Sequence, residues 1–294
     1  MTNLIFVGNQ IIHTKKARSL YELNEQKLNI PFTVILTDIQ RINEVKNYFQ
    51  TASSVFCRIN YSDNTYPHYE SKICLIDNIE NEITIILNRL NNYNINYYDI
   101  IIQEMLNLSW SGAVLSKKGI SLVEMVYGNT AHLLRDGIFY ERFFIDRKKN
   151  ILKQEKGIQN QFRDLVDNQL ILRDIPKLFF SIELLLENMS YISKENILYE
   201  FGLNDSEFFF LEFKKINEKS YPSLSLQRFN KQPFIIWKDD KFYSNKIEAV
   251  ELPIFHNIAD VHADRTYEIK RGAYLSHFVT YLSNNNRNSY FYFN

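Results

Sequence analysis

Ile197-Leu198-Tyr199-Glu200-Phe201-Gly202-Leu203, then Asn204-Asp205-Ser206, then Glu207-Phe208-Phe209-Phe210-Leu211-Glu212-Phe213-Lys214-Lys215-Ile216, is the stretch on which the reading of the fold turns. Two runs rich in aromatic and β-branched residues flank a three-residue polar break, the pattern of a β-hairpin. It sets Glu200 and Glu212 on adjacent strands, and period-2 alternation puts Glu212 and Lys214 on one face. Glu212 lies inside Phe-Phe-Leu-Glu-Phe, where a charged group needs a partner or a metal to be tolerated. Two carboxylates on neighbouring strands beside a cation are the donors of a hard-oxygen Mg²⁺ site that also holds phosphates. The same spacing also fits a cross-strand Glu–Lys pair on a half-buried hairpin.

Upstream, Leu20, Leu23 and Leu28 predict a helix over Ser19–Lys27, ended by Pro31, and Phe32–Leu36 reads as a strand. A short helix follows over Ile42–Phe49 and a strand over Ser54–Tyr61. Ile79, Ile83, Ile86, Leu87 and Leu90 share one face of a helix over Asn78–Asn91. Strands are expected at Tyr98–Met105 and Gly112–Ser116, joined by a turn at Asn107–Ser111, and again at Leu122–Tyr127 and Ile138–Ile145. A long helix over Gln159–Asn188 is broken or kinked at Pro176. Pro222–Pro233 is the linker candidate, and a further hairpin is expected over Ile235–Tyr243, turning at Lys238–Asp240.

Composition sets the outer bounds. The chain has 294 residues, 34 Lys+Arg against 34 Asp+Glu, 45% apolar and 23% charged residues, ordinary values for a globular protein. Zero net charge argues against a general nucleic-acid binder, which needs a cationic face to displace counterions. Eight Gly and six Pro leave little for flexible linkers. Cys57 and Cys74 are too few for a disulfide framework or a zinc site and read as small core hydrophobes. The N-terminus lacks a basic segment followed by a long apolar one, and no apolar run approaches the ~18 residues of a membrane span. A soluble cytoplasmic protein without a membrane partner is the expectation.

Further segments carry a resemblance when taken in order. Thr14-Lys15-Lys16-Ala17-Arg18-Ser19-Leu20-Tyr21-Glu22-Leu23 precedes Ile30-Pro31-Phe32-Thr33-Val34-Ile35-Leu36-Thr37. Then come Cys57-Arg58-Ile59-Asn60-Tyr61-Ser62, Ile102-Gln103-Glu104-Met105, Ser111–Leu115, Glu124–Gly128, and the hairpin's Leu198–Phe201 and Leu211–Lys214. In this order they resemble the ATP-grasp-type nucleotide-binding domain of the phosphoenolpyruvate synthase and pyruvate phosphate dikinase family. The segment Arg271-Gly272-Ala273-Tyr274-Leu275-Ser276-His277 resembles the Gly-Gly-x-x-Ser-His stretch of that family's phosphohistidine swivel domain.

The resemblance implies an α+β, ATP-grasp-like fold of two subdomains over residues 1–217, with a small β-rich extension over 218–294. It implies that ATP and Mg²⁺ are bound and that a phosphoryl group passes to a histidine, His277 in cis or one on a separate protein. Lys16 and Arg58 would contact the phosphates, Gln103 and Met105 the adenine, Glu200 and Glu212 the Mg²⁺, and Lys214 the transferred phosphoryl. In such chemistry positioned charge is most of the mechanism. The sequence departs from the family where Lys15 and Ala17 replace the glycines flanking Lys16, where Glu212 stands for Gln and Lys214 for Arg, and where Ala131 replaces a glutamate. It is also shorter around residues 60–75. The alternatives are an ATP-grasp ligase that forms an acyl-phosphate and a degenerate nucleotide-binding partner or scaffold protein.

Overall fold

A computed structural model of the chain describes residues 3–61, 70–92, 97–117, 119–134, 137, 139–157, 175–192, 197–204, 206–215, 235–236, 250–251, 267–269, 273, 275–276 and 289–291. The chain divides into two compact units. One comprises Met1–Asn107 with Phe209–Phe213, the other Leu108–Phe208 with Lys214–Asn294.

In the first unit β1 (Leu4–Val7) and β2 (Thr33–Leu36) run parallel, joined through helix α1 (Lys15–Glu25). A parallel pair needs such a crossover because no tight turn can reverse the chain twice. α1 starts earlier than its leucine spacing predicts because Thr14 caps it, its hydroxyl oxygen accepting from the Ala17 N–H. Helices α2 (Ile42–Tyr48) and α3 (Ile79–Asn92) and strand β3 (Ser54–Tyr61) follow the apolar periodicity closely. With β4 (Glu70–Leu75) and β5 (Tyr98–Glu104) the sheet order is β1-β2-β5-β3-β4.

One face of this sheet carries Val34, Leu36, Val55, Cys57, Ile59, Ile100 and Ile102. They pack with Ile42, Val45 and Phe49 of the α2 region and Ile79, Ile83 and Ile86 of α3. Cys57 and Cys74 lie in this core, as expected. The Cys57 thiol is pushed up by its hydrogen bond with Cys74 and by burial.

The second unit rests on an antiparallel sheet. Its strands are β6 (Trp110–Lys117), β7 (Ile120–Tyr127), β8 (Glu141–Asp146), β9 (Ile151–Lys156), β10 (Ile197–Leu203) and β11 (Phe208–Lys215), in the order β11-β10-β6-β7-β8-β9. The middle of β11, Phe209–Phe213, belongs to the first unit. The expected hairpin is therefore present as neighbouring strands β10 and β11. By contrast β5 and β6 do not pair. β5 already has β2 on one side and β3 on the other, so it offers β6 no edge.

Helix α4 (Ala131–Leu134) is a single turn, and α5 spans Ile175–Ile192. Pro176 stands in the first turn of α5 as described, where a missing N–H costs no helical hydrogen bond. Four short strands, β12 (Ile235–Ile236), β13 (Val250–Glu251), β14 (Tyr267–Ile269) and β15 (Ser289–Phe291), form a sheet ordered β12-β15-β14-β13. The fold is α+β with a β-rich C-terminal part. The stretches 159–174 and 222–233, the turn at 238–240 and His277 lie outside the described residues. No helix among the described residues is long and apolar enough to cross a membrane.

Candidate functional site

In the first unit the start of α1 is held from two sides. The Asp99 carboxylate, fully buried on β5, accepts from the Thr14 hydroxyl at 2.6 Å, the Thr14 N–H at 2.7 Å and the His13 N–H at 3.1 Å. The backbone donors just before α1, the groups an anion seeks at a helix start, are thus engaged by a side chain of the same unit. One turn on, buried Lys16 donates to Glu212 and to the Leu211 carbonyl at 3.2 Å. The segment carrying Glu212 is fastened further where the Phe213 N–H donates to Ser19 Oγ at 2.8 Å and the Phe210 N–H to the Asn29 carbonyl at 2.8 Å.

Arg58, Phe56 and Gln103 share the sheet face opposite the main core. Phe56 and Gln103 are register partners on β3 and β5, and Arg58 lies two residues from Phe56 with its guanidinium 5.3 Å from that ring's centroid. Gln103 is 9% exposed and its side-chain amide donates to Thr33 Oγ1 at 3.0 Å. Met105, just past β5, is exposed.

In the second unit strand register builds a charged row across the sheet. Glu200 on β10 is opposite Ala113 on β6, Ala113 opposite Glu124 on β7, Glu124 opposite Arg142 on β8, and Arg142 opposite Glu155 on β9. Directly opposed residues of antiparallel strands point to the same face, so all five share one side of the sheet. Lys214 Nζ donates to Glu200 Oε1 at 2.8 Å. Arg142 reaches Glu124 Oε1 at 2.7 Å and Glu155 Oε2 at 2.9 Å, with its guanidinium 3.9 Å from the Phe139 ring centroid. Glu124 is fully buried, as is nearly all of Arg142.

Residues just before His277 are bound to this unit. The Leu275 N–H donates to Glu124 Oε2 at 2.8 Å and the Ala273 N–H to the Gly137 carbonyl at 2.7 Å, while Ala273, Leu275 and Ser276 are buried. Gly137 has φ of +68°, a backbone conformation suited to glycine. Nearby, burial pushes the Glu141 carboxyl above its usual range, against the Gln154 hydrogen bond and the Lys156 charge. Burial also pushes Tyr199 up to about 12.

Within the first unit Lys16 and Glu212 are brought together and Arg58 and Gln103 share a face; within the second Glu200 and Lys214 are paired. Sequence reasoning missed the roles of Asp99 and of the Glu124–Arg142–Glu155 triad. The signal for Asp99 was available, since it precedes Ile100-Ile101-Ile102 in a buried strand and a charge in such a run needs a partner.

Glu200 and Glu212 each already hold a lysine ammonium. Among the described residues no three His, Cys, Asp or Glu side chains converge as metal ligands.

No family model matches the sequence, and no curated protein matches it. Among solved structures the chain is similar to the macrocyclase MdnC bound with precursor peptide MdnA from Microcystis aeruginosa, at 12% identity and TM-score 0.36 over 69% of this chain and 53% of that one. It is similar to the ATP-grasp ligase PsnB complexed with minimal precursor, at 9% identity and TM-score 0.33 over 69% and 52%. A third is the dinucleotide-forming acetyl-coenzyme A synthetase 1 of Ca. Korarchaeum cryptofilum in complex with coenzyme A, Ca-AMPCP and HgCl+, at 11% identity and TM-score 0.42 over 67% and 90%. The matched region spans about half the length of the first two. These neighbours are ATP-grasp fold proteins, and a phosphoenolpyruvate synthase is not among these three.

Proposed function

We propose that the chain binds ATP in the manner of an ATP-grasp protein and that its chemistry is of the ligase kind, in which a carboxylate attacks the γ-phosphorus, ADP leaves and an acyl-phosphate forms. The observation that carries the reading is the row of charges across one face of the six-stranded sheet. Lys214, Glu200, Glu124, Arg142 and Glu155 are held there in fixed register by strands rather than by loops. Within the row the half-exposed Lys214 is the cation placed to meet phosphate, and a preorganised cation stabilises a transferring phosphoryl group without reorganisation during the reaction. On this reading Lys214 faces phosphate oxygens, Lys16 and Arg58 are the cations of the first unit, and Gln103 and Met105 contact the adenine. The carboxylate acceptor is a small molecule or a separate protein.

The ligase reading is preferred to transfer onto His277. A phosphohistidine carrier has to leave the place where it is charged, whereas Ala273, Leu275 and Ser276 are buried and Leu275 is bonded to Glu124. A non-catalytic nucleotide-binding role is the second reading, favoured by the engagement of both Glu200 and Glu212 with lysines.

Incubation with ATP and a panel of carboxylic acids in the presence of hydroxylamine should release ADP and trap hydroxamate. An acid-labile, base-stable label on the protein from γ-labelled ATP would instead return the histidine route. ATP binding without turnover would leave the non-catalytic role.

A further inference from the structure

We propose that the β8–β9 turn and the outer edge of β9, all within the second unit, bind an acidic segment of another protein in extended conformation. The inference goes beyond the nucleotide-binding reading and does not depend on it.

The stretch Asp146-Arg147-Lys148-Lys149-Asn150-Ile151-Leu152-Lys153-Gln154-Glu155-Lys156 carries five cations against two carboxylates, in a chain whose net charge is zero. Both carboxylates are engaged within the unit. Asp146 accepts from the Asn150 side-chain amide, the Asn150 N–H and the Lys148 N–H, each at 2.8 Å, and these bonds hold its carboxyl below the usual range. Glu155 is bonded to Arg142 and to Lys153. Arg147, Lys148 and Lys149 follow one another on the exposed turn, so positive charge is concentrated there. Gly119, Asp146, Arg147, Lys148 and Asn150 line an open hollow of about 590 Å³. Gly119 has φ of +83°, and a Cβ on it would stand 3.0 Å from Arg147 Nε, so the guanidinium lies against the β6–β7 turn.

Beyond the turn, β9 ends the sheet among the described residues. An edge strand turns a row of N–H and C=O groups away from its neighbour, a template for another chain. Ile151 and Leu152 are each 42% exposed at the start of this strand. An extended acidic peptide answers all three features. Its backbone pairs with the edge, its apolar residues cover Ile151 and Leu152, and its carboxylates meet Arg147, Lys148 and Lys149. An anionic membrane would strip water from the same N–H and C=O groups and return no hydrogen-bond ladder. A phosphodiester backbone offers acceptors and no donors, so it leaves the carbonyls of the edge unanswered.

The test is fluorescence anisotropy of the full chain with a labelled peptide of alternating glutamate and valine, about eight residues long. Binding should weaken at least about fivefold between about 50 and about 300 mM NaCl. The variant Lys148→Glu/Lys149→Glu should bind at least about tenfold more weakly than wild type. Lys27→Glu is the control, a charge reversal at an exposed lysine of the first unit with the same left-handed backbone as Lys149 (φ +58° and +67°), and should stay within about twofold.

A second arm changes the peptide and leaves the protein intact. With its backbone nitrogens methylated, the peptide keeps every side chain and loses its donors, and should bind at least about tenfold more weakly. No binding of the acidic peptide, or equal binding when lysine replaces its glutamates, would overturn the inference. So would an unchanged affinity of the double variant or of the methylated peptide. Tighter binding to phosphatidylserine–phosphatidylcholine vesicles or to single-stranded DNA than to the peptide would overturn it as well.

Discussion

Replacing Arg142 by Met should be among the most damaging changes available in the second unit, for reasons that can be quantified. Arg142 is 3% exposed and Glu124 fully buried, the two bonded through Nε at 2.8 Å and Nη2 at 2.7 Å. Met has similar length and no charge, so packing is largely kept. Glu124 is then left buried and ionised without its guanidinium, with the Leu275 N–H still donating to it. Breaking a buried pair by removing one partner costs about 3–5 kcal/mol. The Phe139 stacking adds about 1–2 kcal/mol where it is desolvated. At ~2–4 °C per kcal/mol for a unit of this size, the melting temperature should fall by roughly 10 °C or more.

The double variant Arg142→Met/Glu124→Leu removes both charges and should recover about 2 kcal/mol of that loss, because replacing an entire buried pair by apolar groups is close to neutral. Guanidinium unfolding followed by tryptophan fluorescence is a suitable assay. Trp110 is buried with its ring 5.6 Å from that of Tyr127 and 5.3 Å from that of Tyr140, so it reports on this unit. A single variant within about 1 kcal/mol of wild type, or a double variant less stable than the single, would refute the description of this triad as a buried, mutually dependent group.

Gly112→Ala should destabilise the second unit by about 3 kcal/mol, since a Cβ there would stand 2.2 Å from the Glu124 carbonyl oxygen and 2.6 Å from the Phe201 ring; the shift in denaturation midpoint measures it. Glu141→Gln should stabilise at neutral and alkaline pH. A carboxyl whose folded pKa is raised holds its proton more tightly folded than unfolded, so stability is lost as pH rises from the ordinary carboxylate range through the folded value. Unfolding curves of variant and wild type should therefore coincide near pH 3–4 and separate, variant above, by about pH 8. Cys57 and Cys74 should resist a thiol-specific reagent in the native protein and both react after guanidinium unfolding; rapid native labelling would contradict their burial.

What could be read from the sequence followed the strength of local pattern. The α3 leucine–isoleucine stripe, the alternation in β3 and the paired runs of β10 and β11 declared themselves because burial imposes a period on them. β4 and β9 are edge strands, and on β9 four of the six residues are exposed and the other two half-buried, so burial imposes no apolar alternation there. Glu212 was singled out by its apolar setting, and its partner is Lys16, which is distant in the chain. The row from Glu200 to Glu155 could not have been found this way. It exists through register across five strands, and Ala113 in its middle has no chemical signature of its own.

The assignment of Phe209–Phe213 to the first unit has a bearing on how the protein is made. A nascent chain that has reached Asn107 already contains all five strands of that unit's sheet, yet Lys16 still lacks Glu212, Ser19 lacks the Phe213 N–H and the Asn29 carbonyl lacks Phe210. About a hundred further residues must be synthesised before those contacts can close, roughly 5–20 s at the ribosome. Through that interval an ammonium destined for burial stays hydrated. The unit that begins folding first is in this way among the last to be finished, and a fragment cut after Asn107 would preserve its waiting state rather than its native one.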